Sequence, residues 1–210
     1  MTSPNPPASK ADIAAPGVRG VSTTGAKMMK FVPVTTYLIE AFLLFANDRL
    51  KNSPWNGFMP NDDPSPLSQT PLTFYIGILC VATAASIRYS CYKAMGKQFT
   101  YEVTMFKDHH LVTTGPYSIV RHPSYIATPV HFLGICILWA SKGSWVQESK
   151  LLNTLPGQVV VATWLLLYSR TIVTLFLRVG VEDELLRNKF GDEWIEWKRR
   201  VPFKLLPGVY

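Results

Sequence analysis

The sequence predicts an all-α fold: a polytopic integral membrane bundle of about four transmembrane helices, with a polar cap on one side. Three observations lead there. Of its 210 residues, 48 % are hydrophobic and only 17 % are charged, against roughly a quarter charged in soluble domains. Four apolar stretches approach the ~20 residues a helix needs to cross a bilayer core, and four segments that long cannot be strands of a small barrel. Lysine and arginine gather on alternate connections, which is how a membrane protein of fixed orientation distributes its cations.

Taken in order, residues 1–27 are rich in Pro, Ser, Thr, Ala and Gly and nearly free of large apolar side chains. Such a segment buries too little surface to offset its ordering entropy, so a disordered tail is expected, with the membrane domain over 28–210. Arg19 is its one arginine and Asp12 is present, which argues against a transit peptide. The first span is expected over 31–46 and is interrupted by Glu40. The second covers 72–87 and can continue past Arg88. The third runs from near Tyr125 to near Ala140, and the fourth covers 155–177 and carries Arg170. A mutual ion pair accounts for Glu40 and Arg170 as well as a role in a site does. Cys80, Cys91 and Cys136 lie in apolar surroundings without C-x-x-C spacing, so neither a disulfide framework nor a metal site is expected.

The tail carries Lys10, Arg19, Lys27 and Lys30. The connection after the second span carries Arg88, Lys93, Lys97, Lys107 and Arg121, and the C-terminal segment carries Arg178, Arg187, Lys189, Lys198, Arg199, Arg200 and Lys204. With four spans these fall on one side, which the positive-inside rule makes cytoplasmic. The net charge of +7 then marks topology, and no nucleic-acid partner is expected.

Two polar segments share that side. In "TTGPYSIVRHPSY" the Gly-Pro pair predicts a turn, and Pro123 suits the first turn of the third helix, where its missing N–H costs nothing. Arg121 and His122 then sit at the positive end of that helix, where they gain nothing from its field. An anion or acceptor from elsewhere would suit them, as at a ligand mouth. In "LRVGVEDELLRNKFGDEWIEWKRRVP", Leu186, Phe190, Trp194 and Trp197 recur at helical spacing. This predicts one amphipathic helix, lying on the membrane or folded back over the bundle, with its tryptophans as interfacial anchors. Arg178 and Glu182, four apart, share a helical face.

The elements "HHLVTTGPYSIVRHPSY", "RVGVED" and "FGDEWIEWKRRVP", in that order over about residues 95–205, resemble the isoprenylcysteine carboxyl methyltransferases. The resemblance implies a multi-pass enzyme of the endoplasmic reticulum membrane with a cytosolic active site. It implies methylation, from S-adenosyl-L-methionine, of the C-terminal carboxylate of prenylated (farnesyl- or geranylgeranyl-cysteine) CaaX proteins. It places cofactor contacts at His109, His110, Leu111, Val112, Tyr117, His122, Pro123, Ser124, Tyr125 and Glu182. It also places the substrate carboxylate on Arg178, the catalytic candidate, with Arg121 of the same motif as a second substrate-binding candidate.

The chemistry suits these residues. A C-terminal carboxylate has a pKa near 3.5 and is already ionised at neutral pH, so methyl transfer to it needs alignment and dehydration rather than a general base. No G-x-G-x-x-G occurs, so no Rossmann domain is expected. Three rivals remain: a phospholipid N-methyltransferase, a sterol reductase-like enzyme of similar C-terminal elements, and a non-catalytic membrane scaffold.

Overall fold

The computed structural model describes residues 34, 35, 38, 42, 71–99, 109–148 and 151–209. The expected tail 1–27, the first span apart from four helical positions, Glu40, and the "FTYEV" stretch beyond Phe99 lie outside the described residues. The described residues are helical or irregular, with no strand among them. Their helices are α1 (Leu72–Met95), α2 (Pro123–Ala140), the single turn α3 (Trp145–Glu148), α4 (Leu155–Phe190) and α5 (Asp192–Arg200). Three of these, α1 with its 3₁₀ extension, α2 and α4, are long and apolar enough to cross a membrane.

Local chemistry sets the ends. Pro123 opens α2 with its φ already fixed for a helix. Thr154 caps α4 by accepting the Gly157 N–H at 3.2 Å on its hydroxyl. The α4 helix then runs unbroken for 36 residues, about 54 Å at 1.5 Å per residue, well beyond the ~30 Å of a bilayer core. The expected end of the fourth span at 177 is therefore not a helix end. The helix stops at Gly191, whose φ of +51° suits glycine. The single amphipathic helix expected through Leu186, Phe190, Trp194 and Trp197 is thus broken. The first two residues belong to α4 and the tryptophans to α5. Asp192 and Glu193 in the first turn of α5 and Lys198, Arg199 and Arg200 in its last complement the helix dipole.

The described residues divide into two compact units, one containing 71–82 and 131–169, the other containing 83–99, 109–130 and 170–209. In the first, α1 and α2 approach through glycine. A Cβ on Gly134 would come within 2.9 Å of the Cys80 Cβ and 3.0 Å of the Gly77 carbonyl oxygen. Small residues at such a crossing let backbones pack where lipid supplies no hydrophobic drive. Aromatic rings join α2 to α4 in this unit: Trp139 to Trp164 at 4.5 Å and Phe132 to Tyr168 at 4.9 Å between centroids. The His131 ring nitrogen Nδ1 lies 2.7 Å from the Tyr168 hydroxyl.

The second unit has its own core of Cys91, Phe99, Leu111, Tyr117, Trp194, Trp197 and Val201, with Met95, Val112, Leu186 and Phe190 packed against it. Here the expectation of interfacial tryptophans is corrected. Trp197 is 2 % exposed, and its indole N–H donates to the Tyr117 carbonyl at 3.1 Å. An indole with both its apolar body and its one donor satisfied inside the protein has no need of a headgroup layer. Gly191 makes this burial possible by turning α5 away from the line of α4.

Candidate functional site

Three short pieces of chain build the polar cluster of this second unit: the turn 115–122 with the first residues of α2, the stretch 178–183 of α4, and the segment 201–204 after α5. Gly115 adopts φ +61°, and a 3₁₀ turn over Gly115–Ser118 returns the chain to the start of α2. Arg178 and Glu182 lie one turn apart on α4. They continue a buried stripe of Thr171 and Leu175, whose four- and three-residue steps keep to one helical face.

His122 is the centre of the cluster, 4 % exposed. Its Nε2 donates to Asp183 Oδ1 at 3.0 Å, and its Nδ1 lies 3.6 Å from Glu182 Oε2. Burial alone would lower the pKa of the imidazole. The hydrogen bond to Asp183 and the charges of the Glu182 and Asp183 carboxylates outweigh it and raise the pKa to about 9. The ring is therefore a cation at neutral pH. It stacks on Tyr125 with centroids 5.6 Å apart, and the Tyr125 hydroxyl donates to the same Glu182 oxygen. On Tyr125 also rests the guanidinium of Arg178, 5.9 Å from the ring centroid and 4 % exposed. The structure thus brings His122, Tyr125, Arg178 and Glu182 together around one aromatic ring.

Arg121 has a different occupation. Its Nε and Nη2 donate to the two oxygens of Asp183 at 3.3 and 3.1 Å, and its Nη1 donates to the carbonyls of Val201 and Pro202 at 2.8 and 2.7 Å. Asp183 is the residue that sequence reasoning missed. It stands beside Glu182 in "VED", but adjacent helical positions point about 100° apart, so the face shared by Arg178 and Glu182 did not include it.

The remaining expected positions are spread around the cluster. Leu111, Val112 and Tyr117 belong to the hydrophobic core. The Tyr117 hydroxyl donates to the Met95 sulfur at 2.9 Å, and burial, then Cys91 and Glu182, push that phenol's pKa up. His110 is exposed, and its N–H donates to the Gln98 side chain at 2.7 Å. His109 is half-buried, its ring 6.1 Å from that of Phe190. Burial, then Lys189 and His110, hold its pKa below the usual value. Pro123 is buried and Ser124 half-buried in the first turn of α2.

Chemically, the cluster among the described residues holds three cations (Arg121, His122, Arg178) and two carboxylates (Glu182, Asp183) around an aromatic face. Such a set can neutralise one further carboxylate, and the half-exposed Glu182 can accept from hydroxyl or amino groups.

The model of the phospholipid methyltransferase family matches residues 72–148. The chain is 30 % identical over 133 residues to protein-S-isoprenylcysteine O-methyltransferase of Schizosaccharomyces pombe, covering 62 % of this chain and 47 % of that protein. It is 27 % identical over 128 residues to protein-S-isoprenylcysteine O-methyltransferase B of Arabidopsis thaliana, covering 60 % and 55 %. It is 29 % identical over 129 residues to protein-S-isoprenylcysteine O-methyltransferase of Homo sapiens, covering 60 % and 38 %. The matches span about half or less of the length of these relatives. Over the 60 % or so of its length that matches, the chain is similar to these protein-S-isoprenylcysteine O-methyltransferases.

Proposed function

We propose that the chain methylates the C-terminal carboxylate of prenylated cysteine on processed CaaX proteins, with S-adenosyl-L-methionine as donor, in the endoplasmic reticulum membrane and from its cytosolic side. The catalytic part is about residues 95–205. The single observation that carries this reading is the buried Arg178 guanidinium beside the Tyr125 ring, one helical turn from Glu182. A planar fork of donors is the natural grip for a carboxylate, and the three-to-two balance of cations over carboxylates leaves charge for one such guest. A phospholipid amine would gain nothing from that guanidinium. The basic bias of the connections supports the cytosolic orientation.

The residues present fit the donor. The Glu182 carboxylate, 29 % exposed at its side chain, can accept from ribose or amino groups, and its charge can favour a sulfonium nearby. When bound, the cofactor supplies an electrophilic methyl on its sulfonium. Arg178 holds one substrate oxygen, leaves the other directed outward, and replaces the water that would shield it. Tyr125 donates to one Glu182 oxygen and the His122 ring lies 3.6 Å from the same oxygen, so the acceptor that orients the donor is held by one hydrogen bond and one ion pair. His109 lies within electrostatic reach of Glu182, while Leu111, Val112 and Tyr117 belong to the hydrophobic core. No proton needs to move, because the nucleophile is already ionised.

The test is transfer of labelled methyl from S-adenosyl-L-methionine to N-acetyl-farnesylcysteine by membranes containing the protein. A base-labile ester is the expected product. Label confined to phospholipid would move the chain to the amine-methylating reading, and no transfer at all would leave a scaffold.

A further inference from the structure

The site holds a second arrangement that the reaction does not explain. Residues 201–204 follow α5 as an irregular strap, and the carbonyl of every one of them accepts a bond from Arg121 or His122. The Arg121 side chain serves Val201 and Pro202 at 2.8 and 2.7 Å. The backbone N–H of Arg121 donates to Phe203 at 3.0 Å, and that of His122 donates to Lys204 at 2.8 Å. Val201 and Leu205 are buried on either side of the strap, and Pro202 cannot continue the helix. The opposite edge of the same guanidinium grips both oxygens of Asp183, and Asp183 holds His122.

We propose that the strap 201–204 is a positioning element of the site, coupled through Arg121 and Asp183 to the orientation of His122 and hence of Glu182. Arg121 is then a positioning residue rather than a substrate ligand. Four of its five N–H groups are committed in one plane, a task that a lysine, with three donors at one point, cannot repeat. With the strap in place, the Arg121–Asp183 pair is dry and rigid. Without it, both groups meet water and the grip on His122 loosens. The groups facing His122 are Asp183 and Glu182 from α4 and Tyr125, whose ring also carries the Arg178 guanidinium; Arg121 reaches it through the shared Asp183. The strap reaches it by the Lys204 carbonyl.

For its S-adenosylhomocysteine-binding readout alone the proposal rests on the methyltransferase reading, so the decisive measurement is the imidazole titration. The full chain in nanodiscs, carrying isotope-labelled histidine, has four imidazoles to follow by NMR. In the parent protein one ring should titrate near pH 9. Asp183→Asn should lower that titration by about 1–3 pH units, the size expected on losing an adjacent opposite charge, and Asp183→Glu should restore most of it. Arg121→Lys and truncation after Arg200 should each lower it as well and weaken binding of S-adenosylhomocysteine at least tenfold.

Truncated or Arg121→Lys protein that keeps the parent's imidazole titration would overturn the proposal, whatever its melting temperature. Should the truncated chain fail to fold, the two point variants decide alone. A parent that titrates as described yet methylates no prenylcysteine would sink the functional reading and leave the strap intact.

Discussion

Replacing Trp197 separates a core residue from a membrane anchor. Its indole is 2 % exposed and packs in a cluster with Cys91, Tyr117 and Trp194. A buried aromatic of that size removes about 150–250 Å² from water, which at ~25 cal/mol per Å² is about 4–6 kcal/mol before relaxation. Trp→Ala in a core is known to cost about 3–5 kcal/mol, so Trp197→Ala should unfold the second unit or come close. Trp197→Phe is the sharper probe. It keeps most of the apolar contact but removes the donor to the Tyr117 carbonyl, and a buried acceptor left without its partner costs about 1–3 kcal/mol. The assay is denaturant or thermal unfolding of purified protein in detergent, followed by intrinsic fluorescence, with brominated lipid as a quencher in parallel. The structure requires a loss of at least ~1 kcal/mol for the phenylalanine variant and no change in quenching between parent and variant. A loss within ~0.3 kcal/mol, with lipid quenching that disappears in the variant, would mean that this indole sits in the headgroup layer and that the core has been misassigned.

Arg178→Ala should lower kcat/KM for a prenylcysteine analogue about 10²-fold or more, as befits removing one partner of a buried charge contact. Binding of S-adenosylhomocysteine should stay within a few-fold, and equal loss of both in calorimetry would reassign the residue to the cofactor. The folded pKa of His122 lies above its ordinary value, so its contribution is complete below about pH 6.5 and disappears as pH rises through about 9. At about 1.4 kcal/mol per pH unit this is on the order of 3 kcal/mol, visible as a basic-side fall in melting temperature that His122→Gln removes. Gly134→Val should drive α1 and α2 apart, because the nearest obstacles include the Gly77 backbone. A cost of about 1–3 kcal/mol is expected for such overpacking, read as a lower detergent melting temperature.

Legibility followed the kind of signal each feature leaves in sequence. The three described spans were readable because long, mostly apolar runs have few other uses, and Pro123 marked the start of α2 because a proline fits there without loss. Arg178 with Glu182 was readable as a shared face from spacing alone. Asp183 was not, since its partners Arg121 and His122 lie about sixty residues away and nothing in helical periodicity points to them. The strap was still less visible, because it is bound through carbonyl oxygens that every residue possesses. The break at Gly191 was hidden by the residues around it: Leu186, Phe190, Trp194 and Trp197 keep a helical rhythm straight through a corner. The rhythm persisted because both helices present an apolar side to the same core.

That corner carries a consequence for how the chain could vary. Nothing lies within 4 Å of where a Cβ on Gly191 would stand, so no neighbour forbids a larger residue there. The prohibition is torsional, worth about 1–3 kcal/mol for a side chain forced into such a conformation. The backbone conformation of one glycine therefore sets the direction in which the two buried indoles follow, with an unchanged pattern of apolar residues on either side.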